Sequence, residues 1–364
     1  MSPQPWPGSA KTASNRAGQT AGGKGRGATA PVYALFSPHT AMLILLTGAA
    51  GFIGSHLAER LCARGDEVIG FDNFDAFYPR AVKEGNLGAL RREARFSLTE
   101  GDVRDPSALE RAFGGRRPNV VVHLAALAGV RPSLAEPARY ADVNVTGTQR
   151  VVDAARAHDV PRLVFASSSS VYGRDSQPPF RESDLCAQPL SPYASTKRAG
   201  ELLLFAAHHL YALDVTCLRF FTVYGPRQRP DLAIHKFARL IAAGKPIELF
   251  GDGNTSRDYT FIDDILDGVV AAIDQPGAPD FRIYNLGGSR TTTLNGLVEL
   301  ISGGLGKKPI IEWRPEQPGD MHRTLADVTL SAEALGYAPK VPMEEGIRRF
   351  LDWFLDLFQG HLDN

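Results

Sequence analysis

Leu43-Ile44-Leu45-Leu46-Thr47 is an unbroken apolar run that ends in Gly48-Ala49-Ala50-Gly51-Phe52-Ile53-Gly54. Such a short run without alternation predicts a strand buried on both faces, as in a parallel sheet. Residues 52–63 then have amphipathic helical spacing, closed by Arg64-Gly65, and a second apolar strand is expected at 68–71. Strand, glycine turn, helix and strand in that order predict a βαβ unit. In such a unit Gly48 permits the tight turn, Gly51 lets the backbone approach a phosphate, and Gly54 lets helix and strand pack closely. The helix N-terminus, at Phe52 and Ile53, offers free N–H groups to a pyrophosphate. The spacing is GxxGxxG rather than GxGxxG. Asp72 ends the second strand, 24 residues after Gly48. A carboxylate there accepts hydrogen bonds from a ribose 2′-OH and repels a 2′-phosphate, which predicts NAD rather than NADP.

Further strands are expected at 96–99, 120–124, 163–166 and 215–218, with helices between most of them, for example at 137–158. This alternation predicts a doubly wound α/β fold with a parallel Rossmann sheet. Asn73 follows Asp72 in the same loop. Gly101-Asp102-Val103 ends the third strand, where an Asp side chain and the next backbone group could meet an adenine edge. His123-Leu124-Ala125-Ala126 ends the fourth strand. Small residues there leave room for the diphosphate and ribose, and His123 reads as a core histidine. After Arg219 the alternation loosens, with helices expected at 231–243, 294–302 and 343–358. The division expected is therefore a tail at 1–41, an NAD-binding domain at 42–219, and a smaller α/β lobe at 220–358 that binds mainly the substrate, with a discontinuous boundary.

Composition narrows the function. The chain has 364 residues, 40 Lys+Arg against 40 Asp+Glu, and 43% hydrophobic residues, an ordinary globular balance with length for a sizeable core. A formal charge of zero argues against a nucleic-acid partner. No apolar run is long enough to span a bilayer. Cys62, Cys186 and Cys217 are widely spaced and odd in number, which predicts a reducing compartment, the cytoplasm. The histidines form no HxxxH or HExxH pair, so no metal site is expected. Residues 2–40 hold no acidic side chain and are rich in Gly, Ala, Ser, Thr and Pro. Such a segment buries too little apolar area to offset its ordering entropy. It reads as a disordered tail; a transit peptide, or a start placed ahead of Met42, are the alternatives.

Ser191-Pro192-Tyr193-Ala194-Ser195-Thr196-Lys197 starts a helix, with Ser191 as N-cap and Pro192 at the first position. Tyr193 and Lys197 are i and i+4 and share a face. An ammonium near a phenol favours the phenolate, which makes Tyr193 a candidate general base beside the serine run 167–170.

These segments together resemble the extended short-chain dehydrogenase/reductase family, in its branch of NAD-dependent nucleotide-sugar epimerases and dehydratases. GAAGFIG, GDVRD, HLAA, SSSSVYG, SPYASTK, LRFFTVYGP, SRDYTFIDDI and QPGD occur in family order between Met42 and Phe358. The resemblance implies Ser168 on the reacting oxygen, Tyr193 as acid/base and Lys197 on the nicotinamide ribose. It also implies a UDP- or TDP-sugar in the second lobe and a homodimer.

Departures from the family pattern select the branch. Dehydratases carry Asp-Glu where Ser169 and Ser170 stand, and UDP-glucuronate decarboxylases carry Glu in place of Ser170. An epimerase needs one acid/base and a returning hydride, which the serine run permits. Thr222, the segment Gly225-Pro226-Arg227-Gln228-Arg229-Pro230-Asp231 and the loop at 71–78 are similar to UDP-glucuronate 4-epimerases. Those enzymes hold a C6 carboxylate, for which Arg229 offers a fork and Thr222, Ser169 and Ser170 neutral donors. Arg257, Gln317 and Asp320 fall where the family binds UDP. The expected reaction is epimerisation at C4 of a UDP-sugar, UDP-glucuronate to UDP-galacturonate first. UDP-glucose/UDP-galactose epimerisation, UDP-glucuronate decarboxylation and a non-catalytic NAD sensor are the alternatives. Sensors of this kind lose the tyrosine or lysine, and both are present.

Overall fold

The computed structural model describes residues 40–275, 277–315 and 321–360. Apart from Thr40 and Ala41, the expected tail lies outside the described residues, as do Gln317 and Asp320.

Six strands come first: β1 (Leu43–Thr47), β2 (Glu67–Asp72), β3 (Phe96–Glu100), β4 (Val120–His123), β5 (Arg162–Ser168) and β6 (Asp214–Phe220). Four short strands follow, β7 (Thr222–Tyr224), β8 (Ile247–Phe250), β9 (Ser256–Arg257) and β10 (Tyr259–Phe261), then β11 (Phe281–Leu286), β12 (Thr292–Thr293) and β13 (Ile311–Arg314). The main sheet has seven strands in the order β11-β6-β5-β4-β1-β2-β3, all parallel. The strand order reverses between β1 and β4, so a crevice opens at their carboxyl ends.

Successive residues along a strand point to opposite faces. Ile44, Leu46, Val122, Val164 and Leu218 therefore join one buried cluster, while Leu45, Val121, Leu163, Phe165 and Val215 join the other. Each such fully buried Leu, Ile or Phe contributes roughly 1.5–3 kcal/mol. Burial on both faces explains the unbroken apolar runs in the sequence.

The sheet is flanked by α1 (Phe52–Ala63), α2 (Arg80–Asn86), α3 (Pro106–Phe113), α4 (Val130–Ala135), α5 (Pro137–Ala141), α6 (Gly147–Ala157) and α7 (Pro192–Tyr211). A wider turn at Asp142–Thr146 joins α5 to α6, so the helical stretch expected at 137–158 is one path with a local bulge. Ser191 caps α7 by accepting from Ala194 N–H at 3.1 Å, with Pro192 in its first turn. Beyond it lie α8 (Ala233–Ala242), α9 (Ile262–Asp274), α10 (Leu294–Leu305), α11 (Thr329–Leu335) and α12 (Met343–Gly360).

One element differs from the sequence expectation. β11 pairs with β6 along its whole length, from Phe281 beside Val215 to Leu286 beside Phe220. The chain past Arg219 thus returns to complete the main sheet. β11 is an edge strand, only partly buried at Phe281, Arg282 and Ile283, so it lacks the continuous apolar run that marks the central strands.

Candidate active site

The turn after β1 begins at Gly48, whose φ is +75° and whose N–H donates to Phe71 O at 2.7 Å. A Cβ on Gly48 would stand 2.8 Å from Ala125 N, and one on Gly54 would stand 2.1 Å from Gly48 O. Neither position has room for a side chain. α1 starts after Gly51 with no side-chain cap, so the protein's own side chains leave its opening N–H groups free. Uncapped N–H groups at a glycine cradle fit the diphosphate of a dinucleotide.

Asp72 closes β2 beside this turn. Its Oδ2 accepts from Ala50 N–H at 3.0 Å and its Oδ1 from Phe74 N–H at 2.8 Å. The carboxylate is aimed by the backbone on either side. Lys83 reaches from α2 to within 3.8 Å of Asp72 Oδ1, and both side chains are almost fully buried. Burial lowers the Lys83 pKa, against the pull of Asp72 and Asp75. No sequence motif marks Lys83; only the fold brings it to the cofactor crevice.

The candidate reacting groups come from β5 and α7. Ser168 ends β5 and caps the following turn, accepting from Ser170 N–H at 3.2 Å. Tyr193 and Lys197 share one face of α7. Lys197 Nζ donates to Ala166 O at 2.7 Å, which ties the helix to the end of β5. Burial pulls the Lys197 ammonium down to about 8, with Glu201 opposing. Burial raises the Tyr193 phenol, while a hydrogen bond with Ser168 and the charge of Arg229 act to lower it.

Behind this trio Glu201 accepts from Ser167 Oγ at 2.6 Å and from Arg219 at 2.9 and 3.0 Å. His123 is a core histidine. Thr148 Oγ1 donates to Asn144 O at 2.6 Å, so His123 Nε2 is the donor to Thr148 at 3.0 Å. Its Nδ1 then accepts from Thr47 Oγ1 at 2.7 Å. Asn144 continues the network to Thr196 Oγ1 at 3.0 Å, in the first turn of α7.

One cavity of about 340 Å³ gathers most of the expected site. Gly48, Gly51, Phe52, Ile53, Gly54, Asp72, Asn73, Val103, Leu124, Ala125 and Ala126, the candidate cofactor residues, line it. Ser168, Tyr193, Lys197, Thr222 and Arg229 line the same cavity. Asp102, Ser169, Ser170 and Arg257 are not among its lining residues. Asp102 is engaged by Arg104 and Asn73, and the Arg104 hydrogen bond holds its carboxyl at about 2. Ser169 and Ser170 form the turn beyond Ser168, and Ser170 Oγ accepts from Ser168 Oγ at 3.2 Å. Arg257 Nη1 donates to Ser256 O at 3.0 Å. Phe77 and Tyr78, from the loop at 71–78, also line the cavity, as do Lys83 and Leu232, which no sequence motif marks. Arg227, at φ +63°, anchors the loop carrying Arg229 to α1 through Glu59 at 2.6 Å. Among the described residues no group of three or more His, Cys, Asp or Glu could hold a metal ion, and no helix is long and apolar enough to cross a membrane.

The pattern of the NAD dependent epimerase/dehydratase family matches residues 44–287. The chain is 40% identical over 310 residues to the UDP-glucuronate 4-epimerase of Thermodesulfobacterium geofontis, covering 85% of this chain and 95% of that one. Among solved structures it is similar to UDP-glucuronic acid 4-epimerase from Bacillus cereus in complex with UDP-glucuronic acid and NAD. That match has a TM-score of 0.81 and 35% identity, and covers 87% of this chain and 100% of the other. The UDP-glucose 4-epimerase of Thermus thermophilus in complex with NAD also matches, at TM-score 0.78 and 34% identity, over 86% and 99% of the two chains. A glycine turn at the sheet's switch point, with Ser168, Tyr193 and Lys197 lining the same cavity, is an arrangement of the short-chain dehydrogenase type. The chain belongs to the NAD dependent epimerase/dehydratase family.

Proposed function

We propose that this chain is an NAD-dependent UDP-sugar 4-epimerase that interconverts UDP-glucuronate and UDP-galacturonate. The observation that carries the reading is the sharing of one cavity by Arg229 and Thr222 with Ser168, Tyr193 and Lys197. A guanidinium facing the reacting trio suits a sugar acid, because Arg pairs with carboxylates in a two-pronged geometry. The relatives named for UDP-glucuronate support the substrate.

The glycine turn, Asp72 and Lys197 would hold NAD, which would supply a reversible hydride acceptor and a positive ring charge when bound. Tyr193 takes the C4 hydroxyl proton and later returns it. Ser168 orients that hydroxyl and Tyr193 together. The hydrogen bond with Ser168 and the charge of Arg229 favour the phenolate. The 4-keto form of a glucuronate sugar is a β-keto acid, and it loses carbon dioxide when the C5–carboxylate bond aligns with the carbonyl π system. Arg229 and Thr222 hold the carboxylate away from that alignment, and the absence of an acid at Ser169 and Ser170 disfavours dehydration and decarboxylation.

Residues 42–219 then supply the cofactor side and the segment beyond supplies Thr222 and Arg229, with β11 as the discontinuous part of the first unit. Leu202, Phe205 and Leu210 are exposed along α7; a second copy of the chain covers them in a homodimer, which sedimentation would show. Three buried, unpaired cysteines fit the reducing cytoplasm.

A panel of UDP-sugars incubated with the purified protein, with products separated by chromatography, tests the reading. UDP-glucuronate should give UDP-galacturonate faster than UDP-glucose gives UDP-galactose. Equal or faster turnover of UDP-glucose would replace the substrate, and release of carbon dioxide as the main outcome would replace the reaction.

A further inference from the structure

Arg229-Pro230-Asp231-Leu232 is a tight turn closed by Leu232 N–H donating to Arg229 O at 3.2 Å. Pro230 at its second position fixes the backbone there. Within the turn the Arg229 and Asp231 side chains meet in a two-pronged pair, Nε to Oδ1 at 3.0 Å and Nη2 to Oδ2 at 2.8 Å. Nη2 also reaches Ala128 O at 3.4 Å, and the guanidinium carbon lies 4.9 Å from the centre of the Phe77 ring. The Nε–Nη2 edge of the fork is therefore taken, and the guanidinium stands over an aromatic ring. Nη1 makes no hydrogen bond among the described residues, on a side chain that lines the cavity holding Tyr193 and Ser168.

We propose that Asp231 is a positioning residue that selects a carboxylate-bearing sugar by locking Arg229 with its Nη1 edge open. The proposal rests on the reading of this cavity as a UDP-glucuronate site. A free arginine has many rotamers, and each must be lost when a carboxylate binds. Ordering the fork in advance removes that loss from the binding step. A guanidinium has five N–H donors in a rigid plane and can serve two carboxylates on two edges at once. Asp231 takes the Nε–Nη2 edge and Ala128 O meets the remaining Nη2 hydrogen, which leaves the Nη1 N–H groups for the sugar's C6 carboxylate. The same lock limits rocking of the carboxylate toward the angle at which carbon dioxide leaves. Asp231 lowers the net charge near Arg229, so attraction is traded for direction. A neutral C6 hydroxymethyl group gains nothing from this lock.

The test compares wild type, Asp231→Asn, Asp231→Ala and Arg229→Ala. Calorimetry gives the Kd of UDP-glucuronate and of UDP-glucose, and NMR gives the fraction of turnovers that end in a 4-keto-pentose. Asp231→Ala should weaken UDP-glucuronate about tenfold and UDP-glucose by less than about twofold, and the 4-keto-pentose fraction should rise. Asp231→Asn keeps one acceptor oxygen for the occupied edge and should fall between Asp231→Ala and wild type. Tighter or unchanged UDP-glucuronate binding in Asp231→Ala would overturn the proposal, since Asp231 would then be a competitor or a bystander. Equal weakening of both sugars would overturn it too, as a general loop defect. Arg229→Ala separates the layers: if it spares UDP-glucuronate binding, the carboxylate reading of the cavity fails, and the Asp231 proposal with it. If Arg229→Ala weakens UDP-glucuronate selectively and Asp231→Ala does not, only the Asp231 proposal fails.

Discussion

Glu201 and Arg219 form a two-pronged ion pair, at 2.9 and 3.0 Å, with both side chains almost wholly withdrawn from solvent. Glu201 stands one helical turn beyond Lys197 and also accepts from Ser167, the neighbour of Ser168. The pair thus joins β5, β6 and α7 behind Ser168 and Lys197. Removing one partner leaves an uncompensated buried charge, which costs about 3–5 kcal/mol. Urea denaturation of Glu201→Ala should show a loss of that size. The double replacement Glu201→Leu with Arg219→Met should lose less than Glu201→Ala alone. A loss under about 1 kcal/mol for Glu201→Ala would mean that the pair is not structural.

Acid should expose the cost of His123. Its ring is fully enclosed and its folded pKa is pulled by burial from 6.5 to about 3. The unfolded chain therefore binds a proton between those values and the folded chain does not. The neutral ring's contribution is complete above pH 6.5 and is lost as pH falls toward 3, at up to about 1.4 kcal/mol per pH unit. A His123→Asn variant should be less stable at neutral pH yet show a flatter decline across this window. Parallel stability–pH curves for the two proteins would contradict the assignment.

Coenzyme choice should turn on Asp72 and Lys83 together. Asp72→Ala removes the carboxylate that repels a 2′-phosphate and leaves Lys83, 3.8 Å from it, as an unpaired cation. Fluorescence titration should show weaker NAD and measurable NADP binding in Asp72→Ala. Adding Lys83→Ala should abolish the NADP gain. Preference for NADP in the wild type would overturn the reading of Asp72. Some loss of thermal stability is also expected, because Ala50 and Phe74 lose their acceptor.

Tyr193→Phe keeps the ring beside Tyr140, where the two stack edge to face at 6.3 Å, and deletes the group that carries the proton. Turnover should fall at least about a hundredfold, the scale of general acid–base catalysis. Calorimetric affinity for the UDP-sugar should change little. Near-normal turnover would remove Tyr193 from the chemistry.

The parts of the site that depend on local chain geometry are legible in the sequence. Gly48 and Gly54 are required by one turn, Ser191 and Pro192 announce the start of α7, and Tyr193 and Lys197 follow from i, i+4 spacing. What the sequence hides depends on long-range packing. Lys83 looks like any surface lysine until α2 folds back on Asp72. Arg229 is read as a carboxylate fork only through its segment's resemblance to UDP-glucuronate 4-epimerases, while its contacts with Asp231 and Phe77 need the turn and the loop after β2 in place. Asp102 sits at a strand end that suits the cofactor, but Arg104 and Asn73 engage its carboxylate and it does not line the cavity. β11 is hard to see because an edge strand buried on part of its length does not show the unbroken apolar run of β1 or β4.

The central claim is that a proton shuttle on Tyr193 and a carboxylate fork on Arg229 act on one sugar acid, with the hydrogen at C4 retained within the site. Proton NMR of UDP-glucuronate incubated with the enzyme in D₂O measures this directly. The expected result is a mixture of UDP-glucuronate and UDP-galacturonate with C4–H and C5–H signals at full intensity, and no pentose. Deuterium at C4 or C5, or a UDP-pentose as the main product, would contradict it.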